Sequence, residues 1–278
     1  MAAVEQAEPL VIRPPSRFVE LDLRELWEYR ELLYFFAWRD LKVRYKQTLL
    51  GVGWAVLVPF LQMVVFSLFF NKVAKVGSQG LPYPLFSFAA LVPWYLFANS
   101  VQLSSQSLVA GSNLITKVYF PRALLAVSPI VSSVVDFLLA FVVLVAMLAY
   151  YEVSPDWSVV AAVLPLCLLA LVTAAGVGLW FSALMVRYRD LRYALPFVTQ
   201  LWLFFSSVIV VPSWGEPWRS IYALNPMVGV VEGFRWALLD APRPPGPTLL
   251  VSSLAGLAVL AAGVLYFKRT EDRIADVV

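Results

Sequence analysis

Apolar positions along the chain gather into six runs, at 54–70, 85–109, 123–151, 159–186, 194–211 and 248–267. Each is long enough, or nearly so, to cross a hydrocarbon layer of ~30 Å as a helix. Ahead of the first run the pattern changes. Over 21–50 it is helical and amphipathic, with Tyr34, Trp38, Leu41 and Tyr45 in one arc at about 100° per residue. Arg39, Lys42 and Lys46 fall beside or opposite that arc, which predicts a helix held at a membrane surface by aromatic anchors. Such a helix is either a simple anchor or a docking surface for a cytoplasmic partner. Leu50-Gly51 then supplies a point where the chain can turn sharply into the first run. Residues 1–20 carry Pro9, Pro14 and Pro15 and no apolar core of a signal peptide, so a flexible cytoplasmic lead is expected there.

Between the fifth and sixth runs, 212–247 is amphipathic rather than loop-like, with Trp214, Trp218, Tyr222, Phe234 and Trp236. Asn225-Pro226 divides it, because the residue before a proline is pushed out of the helical region. Glu216, Arg219, Glu232 and Arg235 make a full crossing costly, which predicts two half-helices forming a re-entrant outer hairpin. The expected fold is therefore an all-α integral membrane protein. It has an interface helix at 21–50 and a membrane domain at 51–278 with six transmembrane helices.

Charge orients this arrangement. With the N-terminus inside, the 21 Lys and Arg divide 16 to 5. The inside set is the eight from Arg13 to Lys46 with Lys117, Arg122, Arg187, Arg189, Arg192, Lys268, Arg269 and Arg273. Lys72, Lys75, Arg219, Arg235 and Arg243 lie outside. The bias predicts both termini in the cytoplasm.

Composition narrows the chemistry. At 61% hydrophobic and 14% charged, with mean hydropathy +0.78, the chain is too apolar for a soluble domain. The net charge of +3 sits beside membrane boundaries, which points to lipid contact and not to nucleic acid. There is no His, and the single Cys167 lies within a run, so zinc sites and Cys–His nucleophiles are excluded. Cys167 reads as a small packing residue. No GxxxxGK[ST] phosphate loop, GxSxG elbow or HExxH helix occurs, so no metal or catalytic site is expected.

Asp136, about halfway along the third run, is the lone intramembrane acid. Ionised at mid-bilayer it costs roughly 2.5–3.5 kcal/mol, so it must face the bundle, a polar cavity or a partner. A packing or pore-facing role fits better than proton coupling. Gln62, Asn99, Gln102, Ser104, Ser105, Thr199 and Gln200 either line a hydrated path with Asp136 or hydrogen-bond between helices.

Several segments together resemble one family. They are RDLKVRYKQTLLGVGWAVLVP (39–59), NLITKVYFPR (113–122), RYRD (187–190) and NPM (225–227) followed by Arg235. In this order they resemble the membrane (permease) subunit of ATP-binding-cassette exporters of polysaccharides, of the O-antigen, teichoic acid and capsule type. The resemblance implies two copies of the chain around a channel, paired with two copies of a separate ATPase that binds ATP and Mg. The chain itself would be no enzyme and hold no cofactor. The substrate would be a lipid-linked polysaccharide moved from the inner to the outer side of the bacterial cytoplasmic membrane. Residues Asn113, Lys117, Tyr119 and Arg122, with Arg39 and Lys42, would couple to the ATPase. Leu50 and Gly51 would form the turn after the interface helix. Gln62, Asn99, Gln102, Asp136 and Gln200 would be channel-lining candidates. Trp218, Tyr222, Asn225, Pro226 and Arg235 would form an outer gate. Exporters of a lipid or drug share this implied fold. A secondary transporter would need more intramembrane titratable groups than Asp136, and a membrane enzyme would need clustered acids or histidines.

Overall fold

The computed structural model describes residues 27–46, 48–74, 77–78, 80–118, 120–209, 215, 217–239 and 246–277, with side chains to residue 271 except that of Lys72. The expected lead at 1–20 and the first residues of the expected interface helix, 21–26, lie outside the described residues, as do Tyr119, Trp214 and Glu216. Among the described residues the secondary structure is helical.

Eleven α-helices follow in order: α1 Arg30–Tyr45, α2 Trp54–Phe66, α3 Tyr83–Ala110, α4 Ser112–Ile115, α5 Ala123–Tyr150, α6 Trp157–Val160, α7 Val163–Arg187, α8 Leu191–Phe204, α9 Trp218–Tyr222, α10 Pro226–Leu239 and α11 Gly246–Val277. A 3₁₀ turn at Gly51–Gly53 leads into α2, and a π-helical segment at Ser67–Val73 extends it. Gly51 sits at φ +52, a backbone setting that glycine adopts without a Cβ clash.

Among the described residues, five helical segments are long and apolar enough to cross a membrane: Gly51–Asn71, Tyr83–Ala110, Ala123–Tyr150, Trp157–Arg187 and Gly246–Glu271. The fifth predicted run differs. Its helix, α8, has 14 residues and spans about 21 Å, short of a ~30 Å hydrocarbon core. The chain then turns at residues 205–209, where Ser207 takes φ +56.

Helix α3 is the centre of the bundle, packed by α5 and α7, with α2 on its side and α11 beyond α7. The α7–α11 seam is close because it is built on glycine. A methyl group added at Gly263 would overlap the Gly176 carbonyl, and one added at Gly176 would sit 2.6 Å from Leu260 Cα. In lipid, where apolar surface alone does not drive helices together, such small residues let backbones approach and gain dispersion contact. Helix α10, predicted as half of an outer hairpin, is almost wholly buried and wedged against α3, α7 and α11.

The faces left open on α5, α7 and α11 are apolar: Val131, Val135, Leu138 and Val142 on α5, Leu164 and Leu168 on α7, Leu250, Leu254 and Leu257 on α11. In a membrane these meet lipid chains.

Candidate functional site: a polar path and its two ends

The open face of α3 has a different character. The helix is buried on all sides from Leu85 to Trp94, and then exposes Tyr95, Ala98, Asn99, Gln102, Leu103, Gln106 and Ser107. Those spacings of three and four place them on one helical stripe. Four of the seven carry an amide or hydroxyl along the inner half, and Tyr95 adds a fifth. A lipid-facing stripe would be apolar, like those of α5 and α11; amide side chains there call for water or a polar ligand. Among the predicted channel-lining residues, Asn99 and Gln102 share this stripe, Gln62 is half-buried on α2, and Gln200 is exposed on α8.

Asp136 does not join them. It is buried against α1, where the Arg44 guanidinium and the Tyr45 hydroxyl both donate to its carboxylate. Arg44 Nη2 also donates to Ser132 Oγ at 3.1 Å, and Ser128 Oγ donates to Asp40 Oδ2 at 3.0 Å. Burial and the hydrogen bond to Asp136 push the Tyr45 hydroxyl up to about 12, so it stays a donor. The face of α1 turned to the bundle is therefore Leu33, Phe36, Ala37, Asp40 and Arg44, with Tyr45 of the aromatic arc at its edge. Tyr34 and Trp38 point away, as Arg39 and Lys42 do. The need to pair Asp136 outranks the hydrophobicity of the aromatic arc.

At the C-terminal end of α3, Gly111 ends the helix and the single turn α4 follows. Leu114 and Ile115 pack inward, while Asn113 and Lys117 stand exposed. Arg122 is instead engaged within the chain, donating to the main-chain carbonyl of Glu271 in α11. Phe120 meets Phe36 of α1 edge-on at 5.5 Å between ring centroids.

The opposite end is organised around the turn after α8. Arg235, 2% exposed, donates from Nη1 to the Ser207 carbonyl at 2.5 Å, from Nη2 to the Val208 carbonyl at 2.6 Å and from Nε to the Phe86 carbonyl at 3.1 Å. Its guanidinium lies 3.6 Å from the Phe86 ring centroid. Ser207 donates through its main-chain N–H to the Tyr222 hydroxyl at 2.8 Å and through Oγ to Glu232 at 3.0 Å. Burial pushes the Glu232 carboxyl up, and the Ser207 hydrogen bond, Arg219 and Arg235 pull it back. Asn225 caps α10 by accepting from the Met227 N–H at 3.1 Å, and accepts from Trp202 Nε1 at 2.9 Å. It also donates to the Phe205 carbonyl at 2.6 Å. Of the predicted gate residues, Tyr222, Asn225, Pro226 and Arg235 converge here, while Trp218 stands apart, 65% exposed. Trp202 and Ser207 complete the cluster without having been singled out in the sequence, and Glu232, noted there only as a charge that opposes a full crossing, joins them. The charge of Glu232 beside Arg235 was the one available signal.

A cavity of about 120 Å³ between α7, α10 and α11, lined by Leu166, Leu169, Trp236 and Leu249, has room for a few waters and is walled by apolar groups.

A bundle of apolar helices around one polar-faced member, with a short turn offered beyond its end, has the build of a multi-pass membrane transport subunit. The comparison with known proteins gives the class its family: the profile described as ABC-2 type transporter matches residues 31–239, and the chain belongs to that family of membrane transporters. It is 30% identical over 259 residues to an O-antigen export system permease protein RfbA of Myxococcus xanthus, covering 91% of this chain and 98% of the relative. It is 26% identical over 251 residues to a protein of the same description from Klebsiella pneumoniae, covering 89% and 95%. A polysialic acid transport protein KpsM of Escherichia coli is 24% identical over 243 residues, covering 84% and 91%. The sequence resemblance to polysaccharide exporters thus meets relatives named for that task.

Proposed function

We propose that this chain is the permease subunit of an ATP-driven exporter that carries a lipid-linked polysaccharide from the inner to the outer side of the bacterial cytoplasmic membrane. Two copies form the channel, and two copies of a separate ATPase subunit bind ATP and Mg and supply the stroke. The polar stripe Tyr95–Asn99–Gln102–Gln106 on the otherwise buried α3 carries this reading, because amide side chains suit a sugar polymer and not lipid chains. The relatives named for O-antigen and polysialic acid support the substrate class.

The chain crosses six times in this reading. Helix α8 and the turn at 205–209 together make the fifth crossing, and α9 and α10 form the re-entrant outer segment. Both termini are cytoplasmic, and residues 1–20 are a lead to the interface helix α1. Asn113, Lys117 and Tyr119 on the α4 link, with Arg39 and Lys42 on α1, receive the ATPase. Arg122 serves the same movement from inside, by tying the link to α11. Leu50-Gly51 lets α1 turn relative to α2. Gln62 and Gln200 join Asn99 and Gln102 along the channel, whereas Asp136 serves α1. The cluster of Tyr222, Asn225, Pro226 and Arg235 is the outer gate, with Trp218 at its surface.

Copurification and labelling test this together. Stoichiometric recovery of a phosphate-loop ATPase with the tagged chain is expected. In a background with Cys167→Ser, Gln102→Cys and Asn99→Cys should react with a hydrophilic maleimide and Val135→Cys and Leu138→Cys should not. Recovery of the chain alone, or equal silence of Gln102→Cys and Val135→Cys, would overturn the proposal.

A further inference from the structure

Helix α1 rests on α5, and the two run in the same chain direction. Phe36 meets Phe120 just before α5, Asp40 meets Ser128, and Arg44 meets Ser132 and Asp136. Ser128, Ser132 and Asp136 are spaced by four residues, which puts three polar groups in one file on α5. Asp136 lies 13 residues into α5, about 20 Å from its start. An anchor needs none of this. Apolar side chains would hold α1 against the bundle, but two apolar surfaces in lipid can slide past one another at little cost. A guanidinium shared between a carboxylate and a hydroxyl cannot. A slip of one turn toward the start of α5 would leave Arg44 between Ser128 and Ser132 and bury Asp136 without its cation.

The inner end of this ladder is tied to the coupling link. Phe120 belongs to the segment that follows α4, and Arg122 holds the last described turns of α11 through the Glu271 carbonyl. A push on the exposed Asn113 and Lys117 is thereby delivered to α1 and α5 as one piece. The lipid-facing side of α5, with Val131, Val135 and Leu138, offers no competing attachment among the described residues.

We propose that Arg44 and Asp136 are positioning residues that lock α1 and α5 into a single rigid lever, which carries movement from the α4 link to the middle of the bundle. Asp40–Ser128 and Tyr45–Asp136 fix its register. This rests on the reading of the chain as an ATP-driven exporter, but the lever can be tested without the glycan.

Spin labels at Val43→Cys on α1 and Val142→Cys on α5, with Cys167→Ser, report the joint in the complete complex. The distance between them is expected to be the same without nucleotide and with trapped ATP, while a label pair across Val118→Cys and Val142→Cys also stays fixed. Arg44→Met should broaden the first distance and lower export about tenfold, with ATP hydrolysis by the complex little changed. Arg44→Lys should recover part of export, and the exchange R44D/D136R should recover more than either single change. A disulfide between Asp40→Cys and Ser128→Cys should leave export intact. A wild-type label distance that shifts on ATP binding, or export stopped by that disulfide, would overturn the lever. So would wild-type export by Arg44→Met. Label distances unchanged by ATP and broadened by Arg44→Met, in a complex that moves no glycan, would instead sink the exporter reading alone.

Discussion

The Arg235 guanidinium and the Ser207 carbonyl meet at 2.5 Å, joining α10 to the turn that ends α8. The pairing serves both sides. A helix leaves its last carbonyls unpaired, and a cation there also meets the negative end of the helix dipole. Ser207 pays with a left-handed backbone setting, which costs a non-glycine residue of order 1–3 kcal/mol. Its N–H, hydroxyl and carbonyl each hold a partner in return, so the surrounding contacts over-determine the turn.

Arg235→Met should therefore destabilise the chain by about 3–5 kcal/mol, because it strands the carbonyls of Phe86, Ser207 and Val208 away from water. Arg235→Lys should recover only part, since one ammonium cannot reach three diverging carbonyls in the guanidinium's geometry. Thermal unfolding in detergent checks both. Equal stability of Arg235→Met and the parent would contradict this account of the turn.

The α7–α11 seam makes a second stability prediction. Gly263→Ala should cost about 1–3 kcal/mol, since even a methyl group overlaps the Gly176 carbonyl and the helices must part. Leu257→Ala, on the open face of α11, should cost much less. Comparing the midpoints of the two variants in one detergent separates loss of close approach from loss of a side chain.

Much of the fold was legible in periodicity and length. Five apolar runs correspond to long helices, and the Asn225-Pro226 break marks the start of α10. The break after Phe204 was not legible, because Ser206-Ser207 marks it only weakly: the same run carries Thr199 and Gln200, which stay helical. Only contacts from Tyr222, Asn225 and Arg235, distant in sequence, reveal that the backbone groups there, an N–H and two carbonyls, are held by side chains. The polar stripe of α3 could be named residue by residue, yet whether Asn99 faced water or another helix depended on what covers the rest of α3. Asp136 demanded a partner from the sequence alone. That the partner is Arg44 was hidden, since 92 residues separate them and Arg44 sits in a helix whose aromatic arc suggested the opposite face.

Lys117 and Arg122 allow the coupling link to be dissected. Both are basic and five residues apart, but only Lys117 is exposed, whereas Arg122 holds the Glu271 carbonyl. Lys117→Glu should leave thermal stability within about 0.5 kcal/mol of the parent, as expected for an exposed residue. It should still abolish export by repelling the docked ATPase. Arg122→Ala should lower both stability and export, because it releases α11 from the link. Measuring midpoint and export on the same preparations decides the case. A Lys117→Glu variant that is stable and exports normally would move the coupling surface elsewhere on the chain. An Arg122→Ala variant with unchanged stability would mean that the α11 contact does not hold the link in place.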